Sequence, residues 1–174
     1  MSENKEDLYQ IWDDFLNEWP VGRVREMTLS DYAEAGNNNT FTRWMEGGLD
    51  KLGSIWGGSS FKFGVYSRKD EKSKEDSKKL RYNEGYAWLG KYGGTPEKAF
   101  ESVRSEIITV IDAVLEGDLQ AIDKVDLGDG YKWKIAFHYQ NREEPLIINV
   151  FKKEALETVF GSGGKLSTLY EKAV

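Results

Sequence analysis

The stretch TPEKAFESVRSEIITVIDAVLEG, residues 95–117, decides the fold because it carries a complete set of helix signals. Thr95 has the hydroxyl of a good N-cap, Pro96 suits the first helical position, and Gly117 is typical just beyond a helix end. Between these limits apolar residues recur at intervals of three and four, which places them on one helical face. That face consists of Phe100, Val103, Ile107, Val110, Ile111 and Val114. The sequence therefore predicts a long helix with one buried side.

The same spacing predicts further helices toward both ends of the chain. The first of them ends at Pro20, which cannot continue a helix, and another contains the pair Gly47 and Gly48, which weakens or kinks it. The predicted helices cover residues 8–19, 41–52, 118–125, 152–160 and 166–173, with a short helix expected within 27–35.

Three segments alternate with the period of two that is typical of strands, and a fourth, LIINVF at residues 146–151, is an apolar run typical of an inner strand buried on both faces. Residues 61–65 and 86–92 are expected to pair as a long hairpin, and residues 131–139 and 146–151 as a second hairpin across QNREEP. Strand pairs separated by a long helix are typical of the α+β class rather than of a parallel doubly wound sheet. We therefore expect one α+β domain over residues 1–174, with a mainly antiparallel sheet of about four or more strands packed on a long central helix and terminal helices.

The connection within the first pair, SRKDEKSKEDSKKLR at residues 67–81, has seven basic and four acidic residues, and Leu80 is its one apolar residue. A segment of this composition has no apolar surface to bury, so we expect a mobile charged loop. Its net charge is +3 although the whole chain carries −6, which makes it a candidate phosphate clamp.

Several classes of chemistry are excluded by composition. The chain has no cysteine, so thiolate nucleophiles, disulfides and cysteine-ligated metal or iron–sulfur sites are impossible, and its single histidine, His138, is not accompanied by a GxSxG elbow. The aspartates lack EF-hand spacing, and GSGGKLST at residues 161–168 lacks the glycine and hydroxyl positions of a P-loop. We expect no metal site, no cofactor and no enzymatic activity.

The sequence also gives an expectation for location. No apolar run approaches the roughly 18 residues that a membrane span needs, and the opening residues MSENKEDLYQ are charged where a signal peptide is apolar. We expect a cytoplasmic domain without a membrane partner. A net charge of −6 disfavours nucleic-acid binding unless positive residues gather on one face.

Binding is the function class that the sequence favours most. Aromatic residues form 13% of the chain, which is typical either of an aromatic core or of rings left free to stack. The segment SIWGGSSFKFGVY, residues 54–66, combines a tryptophan, two glycines, two hydroxyls and a lysine, which can stack a planar group and hydrogen-bond its edge; the alternative is a glycine-rich turn that leads into an ordinary strand. Arg23, Arg25 and Arg43 add guanidinium groups that could meet phosphate. The candidate nucleic-acid-binding residues are Trp56, Gly57, Gly58, Ser59, Ser60, Lys62, Arg68, Lys69, Tyr86, Trp88, Lys132, Trp133 and Lys134.

Two motifs, LGSIWGGSSFKFG at residues 52–64 and YKWKIAFHYQ at residues 131–140, are the most particular part of a similarity that runs from residue 8 to residue 160. Over this range the chain resembles an N-terminal domain of McrB-type AAA+ restriction GTPases. In that family the motor uses GTP and recruits a nuclease, while varied N-terminal domains read DNA, commonly for modified bases. The resemblance implies a DNA-recognition domain whose partners are an AAA+ GTPase and a nuclease. The chain itself has no Walker A motif.

Three functional hypotheses follow. The first is a non-enzymatic domain of a restriction or defence system that reads DNA, methylated or otherwise modified, with an extruded base against a Trp or Tyr ring. The second is a protein-interaction module of a defence complex, whose acidic surface meets a basic partner without DNA contact. The third is a small enzyme of unknown reaction, which would need a polar pocket around His138 or a carboxylate pair.

Overall fold

A long helix runs through the centre of the fold in the computed structural model, which describes residues 5–57, 59–69, 76–77 and 79–174. The helices in this part of the chain are α1 (Lys5–Glu18), α2 (Val21–Glu26), α3 (Leu29–Tyr32), α4 (Phe41–Arg43), α5 (Pro96–Glu116), α6 (Leu119–Lys124), α7 (Asp129–Tyr139), α8 (Lys153–Phe160) and α9 (Leu166–Ala173). The strands are β1 (Val65–Ser67), β2 (Leu80–Tyr82) and β3 (Tyr86–Leu89). The class is α+β, as expected, with far more helix than strand.

Helix α5 confirms the prediction made from its end signals. The Thr95 hydroxyl accepts a hydrogen bond from the backbone N–H of Lys98 at 3.2 Å, and Gly117 ends the helix with a φ of +76°. The apolar stripe is buried against α2, α3, α6, α7 and the sheet. The central helix therefore organises the core to which the remaining elements attach.

The sheet is smaller than expected. Strand β3 lies between β1 and β2 and pairs antiparallel with both, with Val65 opposite Trp88. The predicted pairing of residues 61–65 with 86–92 is confirmed only in part, because residues Ser60–Phe63 and Gly90–Tyr92 form 3₁₀ turns. The described residues form three strands, so the expectation of four or more is wrong.

Seven of the fifteen residues of the predicted mobile loop at 67–81, namely 70–75 and 78, lie outside the described residues. At its two ends, Ser67 belongs to β1, while Leu80 and Arg81 belong to β2. The backbone N–H of Tyr82 donates to the Asp76 carboxylate at 2.9 Å.

The expectation of a strand over residues 131–139 is wrong, because these residues form helix α7. Every residue from Tyr131 to Tyr139 is buried, including Lys132 and Lys134. A helix that is buried on all sides has no polar stripe, so the period of 3.6 disappears from its sequence. The alternation of aromatic residues and lysines, which predicted the two faces of a strand, instead belongs to a helix in which both kinds of residue are buried.

The second predicted hairpin is also wrong, since residues 146–151 form no strand. The Gln140 side chain takes the place of a strand partner here. Its Oε1 accepts the backbone N–H groups of Leu146 at 2.8 Å and Ile147 at 2.9 Å, and its Nε2 donates to the Ile147 carbonyl at 2.9 Å. One buried amide thus satisfies backbone groups that a sheet would otherwise satisfy.

The predicted weakness at Gly47 and Gly48 is confirmed. Helix α4 passes into a π-helical turn, Trp44–Gly48, and then into a 3₁₀ turn, Asp50–Leu52. A side chain at Gly48 would lie only 2.8 Å from the Trp44 ring, so the indole packs directly on the glycine backbone. This irregular segment leads into the loop that carries Trp56.

Candidate nucleic-acid interface

Trp56 is the exposed tryptophan of this protein. Its residue is 75% exposed, whereas the other five tryptophans, all within the described residues, are buried or half-buried. The buried members are Trp12, Trp19, Trp88 and Trp133, and Trp44 is half-buried. A tryptophan exposed to this extent presents a large flat face that a planar ligand can contact.

The loop around Trp56 is held in place by Lys62. The Lys62 ammonium donates to the carbonyls of Ile55 at 3.0 Å and Gly57 at 3.3 Å, which flank the tryptophan on both sides. It also forms an ion pair with Glu46 at 3.1 Å. The Lys62 side chain is therefore a support for the Trp56 loop rather than a free cation for phosphate.

The small residues of the predicted site have local structural roles. Gly57 has a φ of +98°, a left-handed conformation that favours glycine, and the Ser59 hydroxyl accepts the backbone N–H of Phe61 at 3.2 Å. Ser60 is exposed and lines an adjoining cleft. Gly58 lies outside the described residues.

Three concave surfaces adjoin one another here, two of them lined by Trp56, and we call them together the Trp56 groove. The first, named here the Arg43 cleft, has a volume of 390 Å³ and is lined by Arg43, the segment 33–38 and residues 66–69. The second, the central hollow of 450 Å³, contains Trp44 and Trp56. The third, the Lys152 hollow of 530 Å³, lies on the other side of Trp56. The Arg43 cleft and the central hollow share Asn38, Arg43 and Glu46, and the two hollows share Trp56.

Positive residues stand at both ends of the Trp56 groove. Arg43, Arg68 and Lys69 line the Arg43 cleft, while Lys152 and Lys153 line the Lys152 hollow. Two of the predicted residues, Arg68 and Lys69, therefore line the same cleft as Arg43 and Ser60. Arg23 and Arg25, by contrast, form ion pairs with Glu18 and Asp112.

Four predicted residues do not belong to this surface. Trp88 is buried and its Nε1 donates to the Gly93 carbonyl at 3.0 Å. The Lys132 ammonium donates to the carbonyls of Asp123 and Val125, each at 3.1 Å. Trp133 and Lys134 are fully buried in α7. The strand that would have exposed the two lysines does not exist, so the prediction of these residues as surface contacts is wrong.

Tyr86 is neither as exposed as Trp56 nor as buried as Trp133. It is half-buried on β3, where it pairs with Ser67 beside the Arg43 cleft. Burial raises the pKa of the Tyr86 phenol, and the nearby carboxylates of Glu34 and Glu97 raise it further. The phenol is therefore neutral and able to donate a hydrogen bond at ordinary pH.

Two buried basic groups in α7, Lys134 and His138, have strongly lowered pKa values. Burial lowers the pKa of Lys134 to about 8, with Asp50 and Glu46 opposing and Lys62 reinforcing the change. Burial likewise lowers the pKa of His138 to about 3. The His138 Nδ1 donates to the Lys134 carbonyl at 2.7 Å, and the ring packs against Trp12, Phe15 and Phe137. His138 is thus a neutral core residue.

Sequence reasoning missed several residues of the groove, namely Asn38, Glu46, Lys152 and Lys153. Arg43 was visible as one of three guanidinium groups, but nothing in its spacing distinguished it from Arg23 and Arg25. One feature of the sequence could have identified it. Arg43 lies between Phe41 and Met45 in a helical pattern, and because those two side chains are buried, Arg43 faces solvent. Lys152 and Lys153 follow an irregular segment, and no periodic pattern in it predicts which way their side chains face.

The described residues contain no group of three or more His, Asp or Glu side chains close enough to hold a metal ion. Among them no helix is long and apolar enough to cross a bilayer. No protein-family model matches this chain, and neither the curated proteins nor the solved structures include a significant match. The likeness to McrB-type N-terminal domains therefore stays a prediction from the motifs quoted above.

Proposed function

We propose that this domain recognises nucleic acid, with modified DNA as the expected target, and that a base stacks on Trp56. The single observation that carries the proposal is the 75% exposure of Trp56 on a loop fixed from behind by Lys62. An exposed ring on a backbone segment that is held in position is available for stacking before the ligand arrives. Base–aromatic stacking contributes about 1–3 kcal/mol per base in proteins that bind single strands.

The surroundings of Trp56 support nucleic acid over an uncharged planar ligand. Cationic side chains line the hollows on both sides of the ring, with Arg43 in the central hollow and Lys152 in the Lys152 hollow, where Asp129 and Glu154 offset part of the charge. The whole chain has a net charge of −6, which would repel phosphate. Positive residues near one exposed ring are therefore stronger support for a phosphate-binding surface here than they would be on a basic protein.

The resemblance to McrB-type domains adds the biological setting. It supports a role in which the domain gives target specificity to an AAA+ GTPase and a nuclease of a restriction system. Co-purification of the tagged chain with such subunits from its own cells tests this part. Recovery of neither subunit contradicts it and leaves the DNA-binding proposal to be tested separately.

The direct test compares wild type with Trp56→Ala for binding to labelled oligonucleotides by fluorescence anisotropy. Single-stranded, duplex and methylated duplex probes of one sequence are titrated over a salt series. Loss of one stacked base at about 1–3 kcal/mol predicts a five- to 150-fold weaker Kd for Trp56→Ala.

Trp56→Phe keeps a ring and should retain most of the affinity. Leu115→Ala is the matched control, because Leu115 is an exposed apolar residue on α5 that does not line the groove. An unchanged Kd for Trp56→Ala, or no salt-sensitive binding to any probe by wild type, refutes the proposal. A tighter Kd for the methylated duplex than for the unmethylated duplex supports reading of the modification, and equal values refute that part.

A further inference from the structure

The Arg43 cleft has a composition that the stacking proposal does not explain. It opens between the segment 33–38 and the end of β1, and its volume is 390 Å³. Hydroxyl and amide side chains, including Asn37, Asn38 and Ser60, line it together with three cationic residues. A cleft with this lining can surround a polar, negatively charged group.

Two of its three cations are exposed and available. Arg43 and Lys69 have no carboxylate partner within 4.0 Å among the described residues, and the Arg43 guanidinium donates to the Asn38 side-chain oxygen at 3.4 Å. Arg68 is more constrained, since its guanidinium donates to the Asn83 carbonyl at 2.8 Å and lies over the Tyr82 ring. Arg43 and Lys69 are therefore the groups that can turn toward an incoming anion.

The acids of the cleft offset only part of these charges, since Glu34 and Glu46 stand against three cations and Lys62 already balances Glu46. Glu46 is held by Lys62 at 3.1 Å, and Glu34 accepts a hydrogen bond from the Asn37 amide at 3.1 Å. Glu46 thus already has its counter-ion. The arrangement leaves positive charge at the mouth of the cleft where Arg43 and Lys69 stand.

The position of Arg43 links the cleft to Trp56. Arg43 lines both the Arg43 cleft and the central hollow, and Trp56 lines the central hollow. The Arg43 side chain and the Trp56 ring therefore face one hollow, in which a single nucleotide could reach both.

We propose that Arg43 and Lys69 bind a backbone phosphate of the nucleic acid whose base stacks on Trp56. This inference rests on the proposed function and adds the side of the ring on which the phosphodiester chain continues. Arg43 supplies a planar fork to two phosphate oxygens, and Lys69 supplies a point charge from the β1 end. Arg68 lines the same cleft.

The experiment measures how the affinity of the full chain for a labelled 12-nucleotide single strand and for the matching duplex depends on salt. Arg43→Gln and Lys69→Gln are compared with Lys98→Gln, which removes the same charge from an exposed position on α5 outside the groove. A cation that meets a phosphate contributes a slope of about 0.7 for a single strand and about 0.9 for a duplex in a plot of log K against log salt. Arg43→Gln and Lys69→Gln should each flatten the plot by about that amount, and Lys98→Gln should leave it unchanged.

The failure of this inference differs from the failure of the proposed function. If Trp56→Ala weakens binding while Arg43→Gln and Lys69→Gln keep the wild-type slope, the phosphate assignment is wrong and the stacking role stands. If Lys98→Gln flattens the slope as much as the two groove variants, the effect is one of overall charge and the assignment is also wrong. If wild type binds neither probe, both proposals are wrong. Circular dichroism spectra that match wild type confirm that each variant folds.

Discussion

The substitution Lys134→Met should stabilise this protein at neutral pH. Lys134 is fully buried, and its Nζ has no hydrogen-bond partner among the described residues. Burial lowers the pKa of Lys134 from 10.5 to about 8, so the folded state holds the charged form less well than the unfolded chain does. That difference corresponds to about 3 kcal/mol, because one pKa unit is worth about 1.36 kcal/mol.

The sign of the pH dependence follows from the two protonation states. Below pH 8 the lysine is charged in both the folded and the unfolded chain, and the full cost of its burial is present. Between pH 8 and 10.5 the unfolded chain binds more protons, so the free energy of unfolding rises with pH. Above 10.5 the lysine is neutral in both states and the cost is gone. Methionine has a similar unbranched shape without the charge, so Lys134→Met should be more stable by about 3 kcal/mol at pH 7 and by much less at pH 10.

Urea denaturation of wild type and Lys134→Met, followed by tryptophan fluorescence at intervals from pH 6 to pH 10, measures this difference. Burial raises the pKa values of Tyr131 and Tyr170, and their effect on stability at high pH cancels because both proteins contain them. Lys98→Met, at an exposed position, should show no such trend. A constant stability difference between Lys134→Met and wild type across the range, or a variant that is less stable at pH 7, would refute the reasoning.

Two further predictions concern the support of the Trp56 loop and the entry to the sheet. Lys62→Met removes the hydrogen bonds to the carbonyls on both sides of Trp56, so amide exchange within residues 54–57 should become faster, while the free energy of unfolding falls by about 1–3 kcal/mol; unchanged exchange would show that the loop does not depend on Lys62. Gly64→Ala should lower the free energy of unfolding by about 2 kcal/mol or more, because Gly64 has a φ of +74° and an added methyl would lie 2.5 Å from Val103; a melting temperature equal to that of wild type would contradict it.

The sequence predicts α5 well because that helix has one face toward the core and one toward solvent. The end signals at Thr95 and Gly117 then mark its limits. The same reasoning fails for α7, whose residues from Tyr131 to Tyr139 are all buried. The hydrophobic period of 3.6 residues arises when a helix has one buried face and one solvent-exposed face, and from Tyr131 to Tyr139 α7 has no exposed face. No local pattern could distinguish this helix from an inner strand.

The sequence pattern is equally insufficient to predict which tryptophan is exposed at the candidate site. Trp56 and Trp133 stand in motifs of similar aromatic and basic composition, yet one ring is exposed and the other is fully buried. The difference is set by tertiary packing, since α7 is enclosed by other helices while the Trp56 loop is anchored from below by Lys62. The chemistry of a stacking site was readable from residues 54–66, but which ring performs it was not.

The distribution of charge along the Trp56 groove separates two kinds of contribution to binding. Near Trp56 the charge of Lys62 is neutralised by Glu46, whereas the cations that can meet phosphate stand toward the ends, at Arg43, Lys69 and Lys152. Stacking on a ring beside a neutral ion pair releases few counter-ions, so Trp56→Ala should lower log K by the same amount at every salt concentration. A parallel downward shift for Trp56→Ala, beside a change of slope for Arg43→Gln, would assign base contact to the centre of the groove and backbone contact to its end. If Trp56→Ala changes the slope instead, the ring acts by positioning the cations, and the assignment of base stacking to Trp56 is wrong.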